Sequence, residues 1–585
     1  MTTSDFVIEP LGDRAFMLAW RAGDIPIQAV GAAMQHIRGL ALPWLQELVP
    51  AYRSIAVHIR SSRLMVAQAS EELLLKLEGF VASVAEYSPK LVELPVRYGG
   101  EHGPDLEASA SRSGLTVQQF IREHSEVVYE VAMIGFAPGF PYLIGLPDRL
   151  AQPRRQTPRV TVPFGSVGIA GNQTGVYPVT SPGGWQIIGR TAMQLFRPEE
   201  EAPFLLAPGD RVKFVPADSD KQEVLATTDN KAPMYSKPTR HAAFTVTKPG
   251  MLTTVQDLGR PGWQAYGVTV GGAMDEYAMR TANILVGNGE DAAGLELTII
   301  GPAFAVEQDM LIALSGADID ASANGEAIPM NKPVALRRGT TLAFGRVTAG
   351  CRTYMAIAGG IDVPKVMGSR STDPRAKIGA AVAESESLGC GEPTALSLVL
   401  SDGLLRKARQ EGRCWSTVPW QASGIGYART SEGQRFVLLR ITEGAEWEQF
   451  DQEARQALLE SAYRVGTASN RMGIRLNGTA LARLSSVELP SHGVAQGTVQ
   501  VPPDGQPIVL AAGCQPTGGY PKLAHVIAAD LPKLAQVAPG DQVRFERVDM
   551  DAAMQARQAQ EQDLALLKAG VFARVCAWTT GGTLA

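Results

Sequence analysis

Apolar positions change their period several times along the chain, and each change marks a part. An extended start, Phe6 to Ile8 and then Ala15 to Trp20, precedes a helical stretch from Gln28 to Gly39. The run Ser54-Ile-Ala-Val-His-Ile59 reads as a strand, and Leu73, Leu74, Leu77, Val81 and Val84 at helical spacing predict a helix over 69–85. This alternation predicts a small α+β unit at 1–88. From Val92 the texture becomes short β-like runs broken by Gly and Pro, with one helix near Val117 to His124. Thr116 and Gln119 stand at its start in capping-box spacing. A β-rich domain is expected at 89–218. The polar, aperiodic stretch after it predicts a linker at 219–243, and β-rich texture then resumes over 244–425 and 426–548. The tail, 549–585, carries a helix predicted from Asp549 to Lys568 and ended by Gly570. The expected class is mainly β with α+β.

Three blocks occur twice in the same order, offset by about 330 residues. Gly165-Ser-Val-Gly-Ile169, Pro182-Gly-Gly-Trp-Gln186 and Pro208-Gly-Asp-Arg-Val-Lys-Phe214 are matched by Gly497-Thr-Val-Gln-Val501, Thr517-Gly-Gly-Tyr-Pro521 and Pro539-Gly-Asp-Gln-Val-Arg-Phe545. Pro-Gly-Asp alone is a generic turn, but three blocks in register predict a duplicated barrel-like β domain.

The chain has 585 residues, too many for one core, and 60 glycines with 38 prolines favour tight turns over a helical bundle. A net charge of −5 without any dense Lys/Arg run argues against nucleic acid as a partner. The acidic start Met1 to Glu9 and the lack of a long apolar window predict no secretory signal and no membrane span, hence a cytoplasmic protein. The five cysteines are scattered and never in Cys-x-x-Cys spacing, which predicts neither a disulfide framework nor a cysteine metal site. Walker-type, His-Glu-x-x-His and Gly-x-Ser-x-Gly signatures are absent, and so is the Met-Lys of a biotin carrier, so no biotin is attached to this chain.

Tyr129-Glu-Val-Ala-Met-Ile-Gly-Phe-Ala-Pro-Gly-Phe-Pro-Tyr-Leu-Ile-Gly145, Pro153 to Arg159, Val162 to Gly171 and Tyr177 to Arg190 carry the sharpest signal. They resemble the allophanate hydrolase subunit 1 family, which includes the B subunit of 5-oxoprolinase and the Kip-type kinase inhibitor. The likeness runs from Pro10-Leu-Gly-Asp13 to Phe214. Val255 to Gly262, Gly271-Gly-Ala-Met-Asp275, Ala282 to Asn288, Gly368 to Thr372, Asn470-Arg-Met-Gly-Ile-Arg-Leu476 and Gly518-Gly-Tyr-Pro-Lys522 resemble the companion subunit 2 family, which includes the C subunit of 5-oxoprolinase and the Kip antagonist. The resemblance implies cyclophilin-like β-barrels in a fusion of the B and C components. One segment departs from it: Ala512-Gly-Cys-Gln-Pro516 stands where members of the C type usually carry Ala-Asp-Arg-Gln, losing a carboxylate and a guanidinium together.

The resemblance implies ATP-dependent opening of 5-oxo-L-proline to L-glutamate, with ATP and Mg²⁺ as cofactors and a separate protein like the 5-oxoprolinase A component as partner; homo-oligomerisation is left open. Phosphorylating a lactam oxygen needs cationic donors and carboxylates. Arg159, Arg190, Asp257, Asp275, Arg471 and Lys522 are the catalytic candidates. Arg154, Gly165, Ser166, Arg260, Glu296, Arg370, Ser371 and Arg475 are the substrate- and ATP-binding candidates, and Asp257 with Asp275 the metal candidates. An active site between the two halves is expected from that spread. Each Arg equally suits capping a carbonyl or pairing with a local acid, and either Asp an Asx-turn. His124 reads as a helix-dipole partner and Phe136, Phe140, Tyr142 and Trp185 as packing. Two other readings stay open: a carboxyltransferase module, as in urea carboxylase, served by a biotin carrier encoded elsewhere, and a Kip-type regulator of a sensor histidine kinase.

Overall fold

The computed structural model describes residues 6–21, 27–60, 64–80, 89–217, 242–424, 436–485 and 489–579. The linker expected at 219–243 falls almost wholly outside them. The N-terminal unit is a four-stranded antiparallel sheet in the order Phe6–Pro10, Ala15–Trp20, Ser54–Ile59, Leu45–Ala51. Helices Ile27–Gly39 and Val66–Lys76 cover it, burying Phe16, Leu18, Ile37, Val57 and Leu73 between the layers. The second helix is shorter than the expected 69–85: Leu77 caps it, Gly79 turns left-handed at φ 75°, and 81–88 lie outside the described residues.

Two closed seven-stranded barrels follow the duplicated blocks. In the first, the spatial order is Gln173–Val176, Pro141–Ile144, Val128–Ile134, Arg211–Pro216, Leu91–Tyr98, Gln186–Arg190, Ser166–Ala170. In the second it is Ile508–Leu510, Gly473–Asn477, Tyr463–Val465, Gln542–Arg547, Phe436–Glu443, Lys522–Val526, Thr498–Gln500. The two rings have one connectivity, including the parallel pairing of first and last strands, Leu91–Tyr98 with Arg211–Pro216 and Phe436–Glu443 with Gln542–Arg547. Each Pro-Gly-Asp turn feeds the last strand in the same way: the Asp210 carboxylate accepts Ala207 N–H and the Asp541 carboxylate accepts Ala538 N–H, both at 2.8 Å. Alternating strand residues such as Val131, Ile169 and Phe214, or Leu439, Ile474 and Val543, point inward and form the two cores.

Three expectations change here. Residues 244–425 do not close into a ring; they form an eleven-stranded branched sheet. Its two long strands, Met310–Ala323 and Thr341–Ile357, pair along their length with three register shifts and take different neighbours at their two ends, which splits the sheet. The first barrel carries two helices, not one, because Leu106–Arg112 is too short to show a period; the expected cap holds on Val117–Ser125, where Thr116 Oγ1 accepts Gln119 N–H at 3.2 Å and Gln119 Oε1 accepts Thr116 N–H at 2.9 Å. The C-terminal helix runs through Gly570, from Met550 to Thr579, because Leu564, Val571 and Val575 bury against Leu400, Leu404 and their neighbours. That packing outweighs the roughly 1 kcal/mol a mid-helix glycine costs.

Candidate functional site

The two halves are held face to face by the turn 260–267. The buried Glu47 carboxylate of the N-terminal sheet accepts Gly262 N–H at 2.8 Å and Gln264 N–H at 2.5 Å. Burial pushes its pKa up to about 6 against the pull of those donors. From the first barrel, Gly139 N–H donates to the Tyr266 carbonyl at 2.9 Å and Phe204 stacks on Tyr266 at 4.6 Å.

Next to this dock, the loop Gly135–Gly139 meets the second barrel. Phe136 sits in the left-handed region at φ 65°, where a bulky residue is held only by its surroundings. Its carbonyl accepts Gln515 Nε2 at 2.6 Å and Arg375 Nη2 at 3.2 Å, so a strained residue of one half is pinned by the other. Beyond the pin, within the second barrel, opens a cavity of about 260 Å³ lined by Asn470, Arg475, Gln500, Cys514, Gln515 and residues 517–520 among others. Two of the three repeated blocks of the second half, at Gln500 and at 517–520, thus meet at one mouth. Arg475 is exposed at that mouth, and Gln500 is buried with Nε2 3.5 Å from the Tyr520 carbonyl. Burial pushes the Cys514 thiol up to about 12, so it stays protonated at neutral pH. In the first barrel the equivalent mouth is closed by rings: Phe140 packs edge-on against Tyr177 at 5.1 Å and Trp185 at 5.4 Å, as the packing reading expects.

Of the expected site residues, only Arg475 lines this cavity. Asp257, Arg260, Arg370 and Ser371 do come together, as a hydrogen-bonded knot. Asp257 Oδ1 accepts Gly259 N–H at 2.8 Å, Ser369 Oγ–H at 2.6 Å and Ser371 Oγ–H at 2.5 Å, and Oδ2 accepts Arg370 N–H at 2.6 Å. Arg260 is buried and donates to the Ser371 carbonyl, and Arg370 donates to the Val363 carbonyl at 2.8 Å and pairs with Asp362 at 3.1 Å. Asp275, Glu296 and Arg471 form a second group. Asp275 is the buried N-cap of helix Glu276–Leu285, accepting Ala278 N–H and Gln536 Nε2–H, both at 2.8 Å. Glu296, 1% exposed, pairs with Arg471 and lies 3.8 Å from Arg352, and it accepts Met274 N–H at 2.9 Å and Tyr354 O–H at 2.8 Å. Burial would raise its pKa, but Arg471 and Arg352 with those donors hold it below the usual carboxylate value. Of the metal candidates, both aspartates are engaged by protein donors, and among the described residues no three His, Cys, Asp or Glu side chains gather as a metal site.

The remaining candidates lie apart. Arg159 pairs with the buried Asp105 at 2.8 Å, and Arg190 Nε donates to the Phe164 carbonyl at 2.8 Å. Arg154 is exposed on the first barrel. Gly165 is at φ 78°, where a side chain would collide with the Thr191 carbonyl oxygen, and Ser166 is buried in its strand. Lys522 is buried against Glu446 at 3.1 Å. His124 is a core residue, not a dipole partner: it lies 2.8 Å from Tyr98 Oη and 3.0 Å from Thr174 Oγ1, and burial drops its pKa to about 3. Arg375, Asn470, Gln500 and Gln515 were not among the expected residues. Asn470 lies inside a recognised block and could have been found there; Gln500 and Gln515 had only the repeat or the departing segment to mark them, and Arg375 had no signal at all.

Barrels related by duplication, a branched sheet and a cavity beside the seam of two docked halves define a two-part β-barrel architecture. Comparison with known proteins agrees. Residues 6–206 match the carboxyltransferase domain, subdomain C and D, and residues 266–547 match subdomain A and B. The chain is 38% identical over 317 residues to the 5-oxoprolinase C subunit of Escherichia coli (strain K12), covering 54% of this chain and 95% of that one. It is 43% identical over 225 residues to the 5-oxoprolinase B subunit of Bacillus subtilis (strain 168), covering 36% of this chain and 93% of that one. The crystal structure of TTHA0988 superposes with a TM-score of 0.76 at 33% identity, over 91% of this chain and 100% of that one. The chain therefore belongs to the carboxyltransferase-domain family, as a fusion of homologues of the B and C subunits of 5-oxoprolinase. No helix among the described residues is long and apolar enough to cross a membrane.

Proposed function

We propose that this chain is the B and C part of an ATP-dependent 5-oxoprolinase that opens 5-oxo-L-proline to L-glutamate with a separate protein of the A type. The observation that carries this reading is the small cavity in the C-type second barrel, opening beside the Phe136 loop of the docked B-type half, with Arg475 at its rim and the Gln500 and Gln515 amides around it. Arg475 suits the carboxylate of the lactam and the amides suit its ring amide. Transfer of the γ-phosphoryl group to the lactam oxygen releases ADP and makes the ring carbon electrophilic. Water then adds to that carbon, the ring C–N bond breaks as the nitrogen takes a proton, and a second water hydrolyses the acyl phosphate to glutamate and phosphate. A magnesium ion held by Asp257 and Asp275 does not fit, because protein donors already engage both carboxylates. The departing segment at Gly513 and Cys514 contributes no charge to the cavity wall, and the reaction proposed here does not draw on one there.

Coupled turnover tests the reading: the chain with and without an A-type partner protein, given Mg-ATP and 5-oxo-L-proline, scored for ADP and glutamate. Equal ADP and glutamate only in the full mixture supports it, and Arg475→Ala should raise KM for the lactam about ten-fold or more with KM for ATP unchanged. No product in any mixture would refute it. A second reading, carboxyl transfer from a biotinylated partner, is favoured by the family match itself; carboxylated product formed with a biotin carrier and no ADP-linked ring opening would select it.

A further inference from the structure

A second, larger cavity of about 510 Å³ opens where five parts of the chain meet, and it shares Cys514 with the smaller one. Its walls come from the N-terminal unit (Arg14, His58, Arg60), the turn 258–264, helix Glu276–Leu285, the second barrel (Gln496, Cys514, Val526) and the C-terminal helix at Arg557. The charges facing it are unevenly partnered. Arg280 is held by Glu290 at 2.7 Å and Glu561 at 2.6 Å, and the Asp13 carboxylate accepts Ala528 N–H at 3.0 Å. Glu276 adds one acid at the helix start. Arg14 reaches only the Gln496 side-chain oxygen at 3.4 Å, and Arg557 the Asp13 carbonyl at 3.1 Å. Among the described residues no carboxylate lies within ion-pair distance of Arg14, Arg60 or Arg557. Burial, and then the nearby Arg14, lower the pKa of Arg557 against the weaker opposing pull of Asp13, Glu561 and Glu276, so guanidinium groups crowd one another here faster than the acids around them compensate. His58, kept neutral by burial with a pKa near 4, has a buried Nε2 that finds no partner among the described residues. Cations held together in a partly dry site are stabilised by an anion that accepts from several of them at once.

Beside this chamber lies an apolar recess of about 270 Å³, walled by Ile8, Phe16, Met65, Met550 and Met554 among others. The two cavities share Gly12, Asp13 and Arg557. We infer that chamber and recess together form one nucleoside triphosphate site, with the phosphates on Arg14, Arg60 and Arg557 and the base among Phe16, Met65 and Met554. This deepens the reading above and rests on it. The site needs both halves and the C-terminal helix, which lies beyond the matched subdomains.

Isothermal titration of the full chain with ATP, inorganic tripolyphosphate and adenosine tests the assignment. Arg14→Ala, Arg60→Ala and Arg557→Ala should each weaken ATP and tripolyphosphate about ten-fold or more and leave adenosine unchanged. Met554→Trp, which fills the recess, should weaken ATP and adenosine and spare tripolyphosphate. Arg60 is exposed on the rim, so its variant keeps the fold even where the others do not. Wild-type ATP affinity in the Arg60 and Arg14 variants, with turnover intact, would overturn this site and leave the oxoprolinase reading standing. An unaltered chain that neither binds ATP nor turns over with its partner would overturn both.

Discussion

Asp257 separates a structural account of the Val255–Gly262 turn from a chemical one. Removing its carboxylate by Asp257→Ala strips the acceptor from Gly259 N–H, Arg370 N–H and the hydroxyls of Ser369 and Ser371. The two hydroxyls can rotate toward other acceptors; the two backbone donors are fixed. Both donors are partly buried, so at about 1 kcal/mol or somewhat more for each orphaned donor the loss is about 2–4 kcal/mol. Asp257→Asn keeps an oxygen for the three donors on one side and turns an N–H₂ toward Arg370 N–H, so about 1–3 kcal/mol is lost. Because a chain of several domains need not unfold in one step, the readout is local. Hydrogen exchange at the Gly259 and Arg370 amides, followed with urea, should show protection falling in the order wild type, Asn, Ala. Wild-type protection in Asp257→Asn together with lost turnover would refute the structural role and return this carboxylate to the chemistry.

Acidification should weaken the fold through its buried imidazoles. His124 and His525 are buried with pKa values lowered to about 3, mainly by desolvation, so below about 6.5 the unfolded chain binds protons that the folded chain refuses. Stability therefore falls as pH drops from about 6.5 toward 3, by about 2 kcal/mol for each histidine at pH 5. Melting midpoints across pH 7.5 to 5 should show a smaller slope in His124→Gln, and an equal slope would count against the argument. Gly165→Ala should destabilise the first barrel by about 1–3 kcal/mol, since the residue stands at φ 78° and an added Cβ would meet the Thr191 carbonyl oxygen; an unchanged melting midpoint would count against that.

The parts of this protein that can be read from the chain alone are those that local spacing encodes. The duplication was legible because Pro-Gly-Asp turns and their strands repeat in order, and each turn residue acts on its own neighbours, as Asp210 and Asp541 do on the N–H groups three residues back. The Thr116 capping box and strand Ser54–Ile59 were legible for the same reason. Long-range packing settled the rest. Whether Asp257 meets a metal or four protein donors depends on Ser369 and Ser371, more than a hundred residues away, and no periodicity in 244–425 says whether its sheet closes. Arg14, Arg60 and Arg557 were invisible as a group because each sits in an unremarkable stretch, and only the docking of the C-terminal helix on the N-terminal sheet brings their charges into one cavity. Side-chain charge is written in the chain, whereas the desolvation that gives it consequence comes only from the surfaces packed around it.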